Sequence, residues 1–239
     1  LSRFGSDKVV LKVVSAEVAH KQAAGGVEVV YKDAAFVRYR FEEILRRFAE
    51  RGQPVDRILF VEYVDYTQEL GNEIMLGFRE SEAFGPVISF SKGGSDAEHF
   101  AKHFSAPNLI LAPIDGAWAR ALLESTHIHQ KYLQQGHGDY VRRIVEAGVC
   151  FSELAVAFSN FFPNDTGFCL TDFEVNPFVF TPDGRFLAID GFASFSSAVP
   201  VKGAASAHAL KAFFEPEGVA VVGVSTTDNT KSGNIIVEN

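Results

Sequence analysis

The chain has 239 residues, 47% of them hydrophobic, and a formal net charge of −8. That is enough apolar material for one large core or two small ones, and the acidic balance excludes a broad nucleic-acid-binding surface, which needs clustered Lys and Arg to displace phosphate counterions. No apolar run approaches the ~20 residues of a membrane span and the N-terminus has no signal-peptide apolar region, while Cys150 and Cys169 lack CxxC spacing and read as core residues of a reducing compartment, so the expected location is the cytoplasm.

Lys8 to Ser15 (KVVLKVVS) reads as a strand with β-branched residues on both faces, followed by an irregular polar segment over 16 to 26 that carries His20 and Lys21. Gly25-Gly26 turns the chain into a second strand, Val27 to Tyr31, and the resulting β-loop-β suits phosphate binding. Asp33 caps a helix to about Arg51, stopped by Gly52, with Phe36, Val37, Phe41, Ile44, Leu45 and Phe48 on one stripe. Arg57 to Val64 is a nearly continuous apolar strand whose one carboxylate, Glu62, is costly to bury without a partner. Gly71 to Arg79 and Gly85 to Phe90 are two more strands, and Lys92-Gly93-Gly94-Ser95 is a loop able to approach a ligand closely.

Helices are expected over Ala112 to Leu123, Tyr140 to Asn160 and the Phe-rich Phe158 to Phe162. His127, His129 and His137 contain an HxH element, but aiming both imidazoles one way requires a strand, and this context is helical or loop-like. Leu170 to Asp190 (LTDFEVNPFVFTPDGRFLAID) predicts a hairpin turning at Thr181-Pro182-Asp183-Gly184. Asp172, Glu174 and Asn176 alternate along its first strand and Asp190 returns to the same edge, a set of oxygens that suits a hard cation such as Mg²⁺. An acidic, half-exposed hairpin is the alternative. Ser194 to Ala207 reads as a linker, and residues 213–239 as the opening βα unit of a nucleotide-binding fold, with Gly218 to Gly223 a buried strand and a helix from about Ser232-Gly233.

Four segments in order carry a resemblance: VVLKVVS with AHK and GGV (9 to 27), FVEYV (60 to 64), GNEIMLGFRESEAFGPV (71 to 87) and DFEVNPFVF…LAID (172 to 190). Together they resemble the ATP-grasp domain of the NDP-forming acyl-CoA synthetases, relatives of succinyl-CoA synthetase. The segment FFEPEGVAVVGVS resembles the start of that family's CoA-binding Rossmann-like domain. The resemblance implies an α/β (α+β) fold with a mixed or antiparallel sheet flanked by helices. It divides the chain into an ATP-grasp domain over 1–193 without its first elements, a linker over 194–212 and a truncated Rossmann-like stub over 213–239. It also implies an acid–thiol ligase that couples acyl-CoA formation or cleavage to ATP through acyl phosphate and phosphohistidine.

In the same resemblance Lys12 and Lys21 reach nucleotide phosphates, His20 carries the phosphoryl group, and Glu62, Glu73, Gly93 and Gly94 contact the nucleotide. Glu174, Asn176 and Asp190 hold Mg²⁺. ATP or ADP and Mg²⁺ are the implied cofactors, with CoA taken up through the domain mostly missing from the chain. The implied partners are the CoA-binding and ligase domains of the same protein or complex, including the domain with the family's principal phosphohistidine, and a homo-oligomer is compatible with this. The glycine-rich segment departs from the family pattern, and Ile110 stands where the family has Arg. That departure favours the alternative function, a non-catalytic nucleotide-sensing module of a multidomain CoA-binding or acetyltransferase protein.

Overall fold

A computed structural model describes the chain except residues 16, 18–23, 70, 95–107, 200–210, 212–213, 229 and 239. The first compact unit, Leu1–Ala198, contains two antiparallel sheets, and Val199–Asn239 forms a second unit.

The smaller sheet has the order β2-β1-β3, from β1 (Lys8–Val14), β2 (Val27–Tyr31) and β3 (Arg57–Glu62). Alternation along β1 sends Val9, Leu11 and Val13 to one face, where they are fully buried against Val37, Ile44 and Phe48 of helix α1 (Ala34–Glu50). Asp33 accepts the Phe36 N–H at 2.8 Å and caps α1, a contact worth about 1 kcal/mol. Arg40 and Arg47 on α1 both bind the Glu28 carboxylate on β2, tying the helix to its sheet. The expectation of a buried β3 does not hold. As an edge strand it leaves Leu59 50% exposed and Glu62 exposed, because among the described residues only β1 pairs with it.

The larger sheet runs β6-β5-β4-β7-β8, with β9 also paired to β7. Its strands are β4 (Glu73–Ser81), β5 (Gly85–Lys92), β6 (Asn108–Leu111), β7 (Phe168–Phe180), β8 (Phe186–Ala188) and β9 (Gly191–Ser197). Helices α2 (Gly116–Glu124), α3 (His127–Gln135) and α4 (Gly138–Ala157) cover one face, burying Ile74, Leu76, Phe78, Ile88 and Phe90 against Leu123, Tyr132, Ile144 and Phe151.

The structure moves several predicted boundaries. Helix α2 begins at Gly116 rather than Ala112, because Pro113 disfavours helix before it and Asp115 caps the N–H groups of Ala117 and Trp118. Residues 158–162 are not helical, since the Asn160 N–H and the Ser159 hydroxyl both donate to Glu80 Oε1 instead. Ser194 to Ser197, expected in a linker, belong to β9, which pairs with β7 from Phe168↔Ser197 to Val175↔Gly191 with a register shift between Leu170 and Asp172. In the second unit, residues 218–223 form no strand and Val222 is 92% exposed, because a lone extended segment has no neighbour for its backbone groups; a helix, α5 (Ser232–Glu238), follows. Among the described residues no helix is long and apolar enough to cross a membrane.

Candidate functional site

The open face of the small sheet is built by the residues that alternate with its core. Residues directly opposite in antiparallel strands share a face, so the β1 register places Lys8 beside Tyr31, Val10 between Val29 and Val61, and Lys12 between Val27 and Leu59. The Lys8 ammonium lies 5.6 Å from the Tyr31 ring centroid and 5.1 Å from that of Tyr63. Val29 is 52% and Tyr31 61% exposed, so among the described residues this apolar face has no protein cover, and a lysine stands at each end.

Lys12 joins this face to the large sheet. Its ammonium donates to the Ile189 carbonyl at 2.8 Å and stands 3.7 Å from Asp190 Oδ1, with the side chain only 11% exposed. Asp190 in turn meets Asn176 across the hairpin, where the Asn176 N–H donates to the Asp190 carbonyl at 3.0 Å. Asn176 sits in a β-bulge of β7, since one β4 residue, Met75, lies opposite both Asn176 and Pro177 between the Leu76↔Val175 and Ile74↔Phe178 pairs. Its Oδ1 accepts the Gly94 N–H at 2.9 Å. Lys12, Asn176, Asp190 and Gly94 therefore form one connected cluster.

Glu73 supports that cluster from below. It is the first residue of β4 and 4% exposed, its carbonyl accepts the Gly93 N–H at 3.0 Å, and its carboxylate meets the Tyr66 phenol. Burial, with the Glu73 charge and hydrogen bond behind it, pushes the Tyr66 phenol up, which keeps it a donor to that carboxylate. Gly94 has φ +83°, and a Cβ there would fall 2.3 Å from Glu73 Oε2. A Cβ on Gly93 would fall 2.6 Å from the Ile74 carbonyl carbon. The two glycines are thus required by close approach, and their N–H groups are held on Glu73 and Asn176.

Two predicted site residues lie elsewhere. Glu62 pairs with Val9, so it shares the α1 face and not the Lys12 face, and it accepts the Gly5 N–H at 2.8 Å. Glu174 belongs with Asp172 and Arg79 to a groove of about 410 Å³ on the large sheet, lined also by Met75, Gly77, Ser89 and Leu109. Arg79 Nε and Nη2 both lie 2.8 Å from the single oxygen Asp172 Oδ2, and burial followed by the Asp172 charge pushes the Glu174 carboxyl up despite the Arg79 charge. Among the described residues no three His, Cys, Asp or Glu side chains converge on a metal position. Of the three residues expected to hold a metal, Asn176 and Asp190 adjoin through the backbone bond between them and offer one amide oxygen and one carboxylate. Hard oxygens in that number fit Mg²⁺, which takes one or two protein carboxylates and completes its shell with phosphates and water.

His20 and Lys21 lie outside the described residues, as do Ser95 to Glu98. Position 110 has a different meaning from the one expected. Ile110 pairs with Ile88 and packs against the helix-covered core, while Leu109 and Leu111 face the other way. A cation at 110 would face helices, so its replacement by isoleucine removes nothing from the open face. The residues missed in the sequence, Lys8, Val10, Val29 and Val61, were signalled by the i, i+2, i+4 alternation of Lys8, Val10 and Lys12.

An ATP-grasp domain model matches residues 2–192. This chain belongs to the ATP-grasp family. Over 155 residues it is 29% identical to the ADP-forming 4-hydroxybutyrate–CoA ligase of Nitrosopumilus maritimus, a match covering 64% of this chain and 21% of that protein. Over 86 residues it is 33% identical to the beta subunit of ADP-forming acetate–CoA ligase I of Pyrococcus furiosus, covering 36% of each. The chain thus spans well under two thirds of these curated relatives. Solved structures that share its fold include two from one organism. One is Ca. Korarchaeum cryptofilum ACD1 in complex with coenzyme A, with a TM-score of 0.61, 24% identity and coverage of 79% of this chain and 76% of that one. The other is the dinucleotide-forming acetyl-coenzyme A synthetase 1 of the same organism, bound to coenzyme A and Mg-AMPPCP, with a TM-score of 0.56, 23% identity and coverage of 77% and 75%.

Proposed function

We propose that this ATP-grasp chain is the ATP- and Mg²⁺-binding part of an ADP-forming acid–thiol ligase that couples acyl-CoA formation or cleavage to ATP. The observation that carries the reading is the meeting of Lys12, from one sheet, with Asp190, which the Asn176 N–H joins at the edge of the other. Cation and metal-binding oxygens face each other at the seam, as a nucleotide polyphosphate with its metal requires. Lys12 binds and orients the phosphates, the Gly93-Gly94 backbone closes beside them, and Glu73 holds that backbone in place. Asn176 and Asp190 would hold Mg²⁺, which when bound neutralises phosphate charge and aligns the transferring group.

In cleavage, phosphate displaces CoA from the acyl thioester to give acyl phosphate and free thiol. A histidine then takes the phosphoryl group, releasing the carboxylate, and passes it to ADP to form ATP. His20 is the candidate carrier in this chain and Lys21 a candidate phosphate contact. CoA chemistry belongs to partner domains of the same protein or complex, with residues 213–239 the start of a CoA-binding domain. The similarity to two ADP-forming CoA ligases supports this reading.

The test uses the full-length protein and ATP labelled in its γ-phosphate. The expected result is acid-labile label on a peptide containing His20, abolished in His20→Ala while ATP still binds within a few-fold. Undiminished labelling and turnover in His20→Ala would overturn the carrier role.

A further inference from the structure

Tyr66 reaches the Lys12–Asn176–Asp190 cluster through a single side chain. It lies between β3 and β4, half-buried, and its phenol donates to the Glu73 carboxylate. The backbone around Glu73 is held by other bonds. The Tyr132 hydroxyl donates to the Gly71 carbonyl, the Phe180 N–H to the Asn72 carbonyl at 3.3 Å, and the Gly93 N–H to the Glu73 carbonyl at 3.0 Å. The Tyr66 hydroxyl therefore acts on the Glu73 side chain and not on the course of the strand. That side chain has little room. Glu73 is 4% exposed, and a Cβ built on Gly94 would fall within 2.8 Å of both its carboxylate oxygens, so the carboxylate is packed against the Gly94 backbone. Gly94 in turn donates its N–H at 2.9 Å to Asn176 Oδ1, the oxygen offered to the metal.

We propose that Tyr66 is a positioning residue for the metal: it fixes the Glu73 carboxylate against Gly94, and Gly94 fixes the Asn176 amide. Groups that orient a metal-binding side chain by hydrogen bonds set its affinity for the metal, although they never touch it. Without the Tyr66 hydroxyl, a buried carboxylate loses a donor and turns to regain one. Gly94, packed against it, shifts with it, and the N–H that orients Asn176 Oδ1 goes out of line. The broad terminal torsion of an Asn side chain then no longer has a single preferred setting. Tyr66 comes from the segment that leaves the small sheet, so the metal end of the large sheet is set in part by a residue outside that sheet.

This inference rests on the nucleotide reading given above, and the experiment separates the two. The full chain and its Tyr66→Phe, Asn176→Ala and Glu73→Met variants are titrated with Mg·ATP by calorimetry. The Mn²⁺ electron paramagnetic resonance spectrum is recorded with Mn·ATP at saturation, where it reports the ligands of the metal and not the affinity. Tyr66→Phe is expected to weaken Mg·ATP roughly tenfold, the scale of a lost outer support of a metal site, and to shift the Mn²⁺ spectrum in the direction that Asn176→Ala shifts it. A residue that only supports the fold would leave that spectrum unmoved. In Glu73→Met, adding Tyr66→Phe is expected to cost less than about twofold, because the relay is already cut. Unchanged Mg·ATP affinity, an unchanged Mn²⁺ spectrum or an equal loss in both backgrounds overturns the assignment. A Tyr66→Phe chain that does not fold overturns it too, since the hydroxyl is then a support of the fold. If Asn176→Ala weakens Mg·ATP and Tyr66→Phe does not, this inference falls and the nucleotide reading stands. A wild type that binds no Mg·ATP overturns that reading and this inference with it.

Discussion

Gly94→Ala tests the packing of the site against measured geometry. Gly94 has φ +83°, a region that costs an L-residue roughly 1–2 kcal/mol. The new methyl would stand 2.3 Å from Glu73 Oε2 and 2.6 Å from its carboxyl carbon. Glu73 is 4% exposed and bonded to Tyr66, so its carboxylate cannot swing away without leaving a buried group unpaired, a further cost of about 1–3 kcal/mol. Together these give a loss of about 2–5 kcal/mol, or roughly 5–15 °C in melting temperature for a unit of this size. Thermal unfolding without ligand reads that loss, and the same measurement in a Glu73→Ala background isolates the clash. There, Gly94→Ala is expected to cost only the backbone term, about 1–2 kcal/mol. An equal cost in both backgrounds would refute the close-approach argument.

Lys12→Met keeps the apolar stem and removes the charge. Its bond to the Ile189 carbonyl makes the variant less stable without ligand by about 1.5–3 kcal/mol, while the pair with the half-exposed Asp190 adds less than about 1 kcal/mol. It also weakens Mg·ATP binding, and an unchanged melting temperature would show that the lysine does not join the sheets. Glu174 supplies a pH test. Its carboxyl is raised in the folded protein, so the native state holds the proton more tightly than the unfolded chain, and wild-type stability relative to Glu174→Gln falls as pH rises from the ordinary glutamate range through the raised value. Unfolding curves across mildly acidic pH should show that decline, and a flat or rising difference would contradict the burial of this carboxyl.

Much of the site was legible because it depends on local pattern. The hairpin from Leu170 to Asp190 could be read from its turn residues and alternating apolar positions, and it does bring Asn176 and Asp190 together. Lys12 was legible as a strand lysine next to a loop expected to suit phosphate, but its capture by Ile189 and Asp190 depends on a contact 177 residues away in sequence. The expectation of a buried strand around Glu62 failed for a related reason. Apolar content alone cannot tell an edge strand from a central one, and the register with Val9 decides which face the carboxylate takes. The bulge at Asn176 leaves no mark in a period-two pattern, and β9 was missed because GFASFSS has the small polar composition of a linker while its backbone completes a sheet. Position 110 shows the same limit, since only pairing with Ile88 shows that it faces the core.

In the proposed function a metal-bound nucleotide polyphosphate sits at the seam between the two sheets, held by Lys12 on one side and by Asn176 and Asp190 on the other. The most direct test is calorimetric titration of Mg·ATP into the wild-type chain, Asn176→Ala and Asp190→Asn, with melting temperatures confirming that each variant is folded. Both substitutions should weaken binding by at least about tenfold, the scale on which even indirect supports of a metal site act. Affinity equal to wild type in folded Asn176→Ala and Asp190→Asn would contradict the account.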